Sequence, residues 1–407
     1  MKHKYIERDL ETVLVRAAKE FPAIVLTGPR QSGKTTLLKH LFSKNYKYVS
    51  LELPDIRAAA NVDPRGFLDM YTPPVIMDEI QYAPDLLLYI KEKIDSDRNK
   101  SGQYLLTGSQ NLLMMEKVTE SLAGRAAMLK LLPLSYKEIR GNLQMPFPWE
   151  SQSKQMGRER DSYNEMWKSF LRGNYPELVS NPDRDINLWH SSYIQTYLER
   201  DIRMLKQIGD LTLFQNFFRA LAARSGQLLN LTDISRDLGI AVNTVKAWLS
   251  ILESTFQVVI LRPYFNNIGK RLVKSPKVYF TDVGILCYLV GLKDPDHAAS
   301  GPMGGTIFET AVISEIIKTI IHRGEEPQIY FWRTSSGKKV DVIIQREGKL
   351  VPIEIKLSST PKPVMADNIK IFQEDYKEIS TTGYVIHPGD IHLPLGENVE
   401  ALPFGLL

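Results

Sequence analysis

Apolar positions in the first 140 residues fall into short runs separated by helical spacing. AIVLT at 23–27, QYLLT at 103–107, and the stretches 47–51 and 74–77 have the length and composition of buried strands. Between them, residues 34–42 and 85–94 repeat apolar side chains at helical intervals. Strands alternating with helices predict an α/β domain on a largely parallel sheet, set here at 1–140. Residues 141–164 open on a polar stretch with two prolines and no period, and are expected to be a linker. Helical periodicity then dominates a region at 165–296, as in 189–205 and 214–223, before strand-like runs appear at 257–264 and 277–281. In the last unit, 297–407, a strongly amphipathic helix at 307–321 leads into strand-like runs at 329–332, 340–344 and 351–355. That order predicts a second, small α/β domain.

Composition narrows the class without naming a task. The chain has 407 residues, 43% hydrophobic and 24% charged, which excludes a disordered or collagenous polymer. One cysteine, Cys287, excludes intrachain disulfides and fits a reducing compartment. The opening MKHKYIERDLE carries charges where an export signal needs an apolar core, and no uncharged apolar run approaches a membrane span. A cytoplasmic protein without membrane contact is expected. The formal charge of +4 gives no general argument for nucleic acid.

The strongest chemical signal is GPRQSGKT at 28–35, a G-x-x-x-x-G-K-[ST] phosphate loop between a strand and a helix. Gly28, Pro29, Arg30, Gln31, Ser32 and Gly33 would curl backbone N–H groups around a phosphate, aided by the helix N-terminus. Lys34 would reach the β- and γ-phosphates, Thr35 would ligate Mg²⁺, and Thr36 follows on the helix, so ATP and Mg²⁺ are the expected cofactors. VIMDE at 75–79 is a buried strand ending in acid: Asp78 would hold Mg²⁺ through water and Glu79 would polarise an attacking water. In LLTGS, Ser109, or in second place Thr107, would contact the γ-phosphate or that water. Arg125, in SLAGRAA, reads either as an arginine finger, in cis or in trans, or as an exposed ion pair.

GPRQSGKT, MDEIQYAPDLL, LLTGSQNLLM and SLAGRAAMLKLLPLSYKEI together resemble the prokaryotic AAA-superfamily ATPases that carry a C-terminal domain of unknown function. NYPELV and YIQTYLERDIR resemble the opening of that companion domain. The resemblance implies an AAA-type ATP-binding module, with Ser109 in the sensor position, where asparagine is common, and Arg125 as a phosphate-sensing or finger arginine. No second sensor arginine is identifiable in the helical region.

Further on, LTDISRDLGIAVNTVKAWLSILES at 231–254 has a helix-turn-helix pattern. Thr232 would cap the first helix, Gly239 would make the turn, and Asn243, Thr244, Lys246 and Ala247 would be exposed near the start of the second. The strand-like runs that follow would form a wing carrying Lys270, Arg271 and Lys274. Residues 201–280 hold 11 Lys and Arg against 5 Asp and Glu, a net +6 that favours phosphate contact. Finally, KKVDVII and VPIEIKLSS place Asp341, Glu354 and Lys356 on two strands, with Glu309 on the helix before them. This order resembles the PD-(D/E)XK restriction-endonuclease-like fold, whose carboxylates and lysine serve metal-assisted phosphodiester hydrolysis. The first expectation is therefore an ATP-hydrolysing AAA-type switch or motor acting on DNA. Its alternatives are a nucleotide-gated, metal-dependent nuclease, or an ATP-regulated module for a protein partner or homo-oligomer.

Overall fold

The computed structural model describes residues 5–108, 120–150, 161–197, 210–265 and 274–407. Its first sheet contains β1 (Ala23–Thr27), β2 (Lys47–Ser50), β3 (Val75–Asp78), β4 (Tyr104–Thr107) and β5 (Ala126–Lys130) in the order β2-β3-β4-β1-β5. All neighbours are parallel. Helices α1 (Leu10–Glu20), α2 (Lys34–Phe42), α3 (Pro54–Val62), α4 (Pro64–Met70) and α5 (Leu86–Ser96) connect and cover these strands. Alternate side chains serve opposite faces. Ile24, Leu26, Ile76 and Leu105 pack with Leu14 of α1 and Leu37 and Leu38 of α2. Ala23, Val25, Met77 and Leu106 pack with Leu87 and Ile90 of α5. Burial on both sides is why β1, β3 and β4 read as unbroken apolar runs. The same reading passed over β5, a half-exposed edge strand of sequence AAMLK.

Beyond it lie α6 (Tyr136–Ile139), α7 (Tyr163–Arg172), α8 (Pro176–Ser180), α9 (Ile186–Tyr197) and α10 (Leu211–Ala222). The helix-turn-helix pair is α11 (Leu231–Leu238) and α12 (Val242–Ser254). Gly239 ends α11 in the left-handed conformation at φ 67°. Its cap is Asn230 and not Thr232: the Asn230 side chain accepts from the N–H groups of Thr232 and Asp233.

The second sheet has eight strands, ordered β12-β13-β11-β10-β9-β8-β6-β7. They are β6 (Val258–Pro263), β7 (Lys277–Phe280), β8 (Ile329–Arg333), β9 (Lys339–Arg346), β10 (Lys349–Ile355), β11 (Gly383–His387), β12 (Leu393–Pro394) and β13 (Val399–Pro403). Among them run α13 (Val283–Leu289), α14 (Pro295–Ser300), α15 (Gly304–His322) and α16 (Asp367–Asp375). The two strands expected to form a wing, β6 and β7, pair antiparallel, and β6 also pairs parallel with β8, Arg262 opposite Tyr330 and Pro263 opposite Phe331. The helical and last α/β regions also share one apolar core, which contains Trp167, Phe217, Trp248, Ile313 and Ile353.

The centre of this core is α15, and here periodicity misled. The helix is not amphipathic toward solvent; it is buried on nearly all sides, Glu315, Lys318 and His322 included. Those three share a face by spacing, and the face turns toward α6. Among the described residues no helix is long and apolar enough to cross a membrane.

Candidate functional site

The segment between β1 and α2 folds back at the C-terminal edge of the parallel sheet. Gly28 has φ 149° and lies so close to the end of β5 that a Cβ there would sit 2.1 Å from the Leu131 carbonyl oxygen. Gln31 at φ 60° and Gly33 at φ 95° complete the turn into α2. The Lys34 ammonium folds over the loop, 3.0 Å from the Gly28 carbonyl and 2.9 Å from that of Pro29. The Ser32 hydroxyl is fully buried and makes no hydrogen bond among the described residues, a group left over for a ligand's phosphate oxygens.

Asp78 ends β3, two strands from β1, and gathers hydroxyls. Thr35 Oγ1 on α2 lies 3.0 Å from both carboxylate oxygens. The Tyr48 hydroxyl on β2 donates to Oδ2 at 2.9 Å, and Thr107 Oγ1 on β4 donates to Oδ1. Burial and the Asp78 charge push the Tyr48 phenol well above its ordinary range. Glu79 follows in a left-handed turn at φ 58°; its N–H donates to Thr107 Oγ1 at 3.3 Å and its carboxylate accepts from the Gln81 amide. A threonine hydroxyl beside a carboxylate is an all-oxygen donor set, which suits Mg²⁺. The structure thus brings Lys34, Thr35, Asp78, Glu79 and Thr107 to one edge. Thr107 touches Asp78, whereas Ser109 lies outside the described residues. Sequence reading missed Tyr48, which belongs to no motif and becomes visible only through the β2–β3 pairing.

Arg125 is placed elsewhere. It precedes β5, and Ala126 pairs with Ala23 at the start of β1, so Arg125 is at the N-terminal edge of the sheet. The phosphate loop leaves the other edge, roughly 15–20 Å away at the rise of a strand. Its guanidinium makes a two-pronged pair with Asp95 at 2.7 and 2.8 Å. This geometry corrects the reading of Arg125 as a finger in cis.

Beside the loop opens a cavity of about 320 Å³. It is lined by Tyr5, Ile6 and Arg8, by Gly33, Thr36 and Leu37 of the loop and α2, and by Leu134, Pro176, Glu177 and Ser180. Pro176 and Glu177 lie in the NYPELV segment, a sequence cue for this part of the cavity.

A second polar cluster lies on β9 and β10. Asp341 Oδ2 accepts from the Ile355 N–H at 3.1 Å, and Oδ1 accepts from Lys339 at 3.1 Å. Glu354 Oε1 accepts from Lys356 at 2.5 Å, while its buried Oε2 has no hydrogen-bond partner among the described residues. Glu309 is bound by Lys277 at 3.0 Å and by the Tyr279 hydroxyl. Among the described residues no group of three or more His, Cys, Asp or Glu is set to hold a metal ion. Of the expected residues, Asp341 and Glu354 interact, Lys356 is bonded to Glu354, and Glu309, the optional ligand, is bonded to Lys277 and Tyr279. Burial, then the charge of Asp341, pushes the Glu354 carboxyl up to about 7 against the pull of Lys356.

A carboxyl raised on folding holds its proton more tightly in the native state than in the unfolded chain. Its ionisation therefore removes stability as pH rises from about 4.5 to about 7, and the loss is complete above that. Glu354→Gln removes this titration. The variant's melting temperature relative to wild type is expected to climb between pH 5 and pH 8; an offset equal at both would refute the shift.

Residues 20–140 match a family model described as an AAA domain. Residues 163–296 and 304–407 match families described as domains of unknown function, DUF8612 and DUF4143 respectively. An uncharacterised protein of Mycobacterium tuberculosis is 27% identical over 398 residues, covering 97% of this chain and 83% of the relative. An uncharacterised protein of Haemophilus influenzae is 22% identical over 378 residues, 88% of each chain. Among solved structures, a Walker-type ATPase of Pyrococcus abyssi aligns over 71% of this chain and 97% of its own, at 15% identity and a TM-score of 0.46. Residues 20–140 are an AAA-type, P-loop ATPase-like domain of α/β fold.

Proposed function

We propose that the chain binds ATP with Mg²⁺ at the phosphate loop, hydrolyses it, and acts as a switch or motor on DNA through the regions after residue 165. The observation that carries the ATP part is the meeting of Lys34, Thr35, Asp78 and Thr107 at the C-terminal ends of adjacent parallel strands. Loop N–H groups from Gly28 to Thr36 would cradle the phosphates, and Lys34 would leave its two carbonyls for the β- and γ-phosphates. Thr35 and Asp78 would hold the magnesium ion, which when bound supplies charge neutralisation at the phosphates. Glu79 would accept a proton from the attacking water, with Thr107, or Ser109, beside it. The cavity between Tyr5 and Pro176 would take the nucleoside. Arg125, lying far from its own loop, would serve only a neighbouring copy in a homo-oligomer.

The DNA part rests on α12, whose Asn243 and Lys246 are exposed at its first turns, and on the basic surplus of residues 201–280. Lys274 is among the described residues; Lys270 and Arg271 are outside them. The test is Mg²⁺-dependent ATP turnover with and without duplex DNA. Turnover rising several-fold with DNA, and lost in Glu79→Gln while ATP still binds, is expected. Turnover indifferent to DNA would favour a protein partner, and none at all with wild type would sink the ATPase reading.

One observation favours a nuclease-like reading for the last region: the orphaned Glu354 Oε2 beside Asp341. Two carboxylates plus substrate phosphate suffice for Mg²⁺. Plasmid cleavage in Mg²⁺ or Mn²⁺ that disappears in Asp341→Ala would support it, and cleavage unchanged in that variant would exclude this centre.

A further inference from the structure

Arg8 stands in a segment that no motif marks, and only 4% of it is exposed. Its three nitrogens reach three acceptors: Nη1 donates to the Ser32 carbonyl at 3.0 Å, Nη2 to the Leu132 carbonyl at 2.7 Å, and Nε to Glu138 Oε1 at 3.0 Å. Ser32 is inside the phosphate loop. In a trans peptide the carbonyl and the following N–H point opposite ways. Fixing the Ser32 oxygen on Arg8 therefore turns the Gly33 N–H away from Arg8, as a loop that receives phosphate on its N–H groups requires. Leu132 follows Leu131, whose carbonyl oxygen abuts Gly28. One guanidinium thus braces both sides of the loop.

Behind Arg8 lies a buried chain of contacts. Glu138 Oε1 also accepts the Asp9 N–H at 2.9 Å; Oε2 accepts the Ser135 N–H at 2.8 Å and lies 3.2 Å from His322 Nδ1. His322 Nε2 accepts the Leu132 N–H at 3.1 Å, so the proton of a neutral ring is on Nδ1, facing Glu138. Burial works to raise the Glu138 carboxyl, but Arg8 and His322 hold it well below the usual carboxylate range. His322 is the last residue of α15. The same helix meets α6 again where Glu315 accepts the N–H groups of Tyr136 at 2.5 Å and Lys137 at 3.2 Å. The loop, the end of the AAA-type domain and the central helix of the C-terminal core are therefore joined through Arg8, Glu138 and His322.

We propose that Arg8 is a positioning residue of the phosphate loop, and that Glu138 and His322 make its position depend on the seating of α15, so that nucleotide affinity and the state of the C-terminal region are linked. The proposal rests on the ATP reading above. Such a link is reciprocal and has a typical size of 5- to 150-fold.

The experiment uses the full chain, with ATP and Mg²⁺ as the probe in calorimetric titrations and in turnover. His322→Ala touches none of Lys34, Thr35, Asp78 or Glu79. It is expected to weaken ATP binding about 10-fold and raise KM alike while leaving kcat within about two-fold. Arg8→Ala should do at least as much, and Arg8→Lys should recover part of it by keeping one contact. The double variant should be no weaker than Arg8→Ala alone, because both act through one chain of contacts. Should Arg8→Ala fail to fold, Arg8→Lys paired with His322→Ala gives the same cycle. A folded His322→Ala with wild-type affinity, or losses that simply add, would overturn the link alone. Absence of ATP binding by wild type would instead overturn the ATP reading and the link with it.

Discussion

Lys34→Ala is expected to weaken ATP binding by two to three orders of magnitude while the protein stays folded. The ammonium stands on the first residue of α2, and in the structure it already reaches across two loop carbonyls. A hydrogen bond from a charged group contributes about 1.5–3 kcal/mol. Losing two such bonds to phosphates, each in the lower part of that range, removes about 3–4 kcal/mol, or roughly 10²–10³ in Kd. The stability effect should be small, because the two carbonyls adjoin the ligand site and hydrate once the amine is gone. Titration calorimetry with ATP and a melting curve separate the two effects. Wild-type affinity in a folded Lys34→Ala protein would show that the nucleotide site is elsewhere.

The second large effect comes from Gly28→Ala, which should damage both stability and binding. A Cβ at Gly28 meets a backbone oxygen at 2.1 Å, and no flexible side chain can move out of its way. The left-handed φ of 149° adds strain for any L-residue. Overpacking of this kind costs about 1–3 kcal/mol, and relief by moving the loop would misdirect its N–H groups. Gly305→Ala on α15 is the control: its added methyl meets nothing within 4 Å. It should leave the melting temperature unchanged or raise it, as Ala favours helix by about 1 kcal/mol over Gly. Equal melting temperatures for Gly28→Ala and Gly305→Ala would refute the steric account.

What was legible in the sequence follows a physical rule. Strands β1, β3 and β4 were visible because both faces are buried, and the loop was visible because its chemistry fixes residue types at fixed spacing. Edge strand β5 was hidden, since AAMLK carries no strong strand formers. Tyr48 and Arg8 were hidden for a different reason. Each reaches the site across the sheet or from a segment far away in the chain, and no local pattern encodes that. The third kind of miss is α15, expected as a strongly amphipathic helix over 307–321 and found buried on nearly all sides, Glu315, Lys318 and His322 included. A buried polar face satisfied by another region's N–H groups has the same period as an exposed one. The partners of Glu309 were hidden as well: Lys277 and Tyr279, both on β7, reach it from a strand that no local pattern ties to α15.

The pairing of β6 with β8 bears on how such chains diversify. The segments 163–296 and 304–407 correspond to two family models, yet a single sheet crosses from one to the other at Arg262–Tyr330 and Pro263–Phe331. Exchanging either segment for a foreign one would expose β6 or β8 as an unpaired edge unless the newcomer matched its register and the neighbouring side chains. The two segments are therefore expected to be inherited as a block.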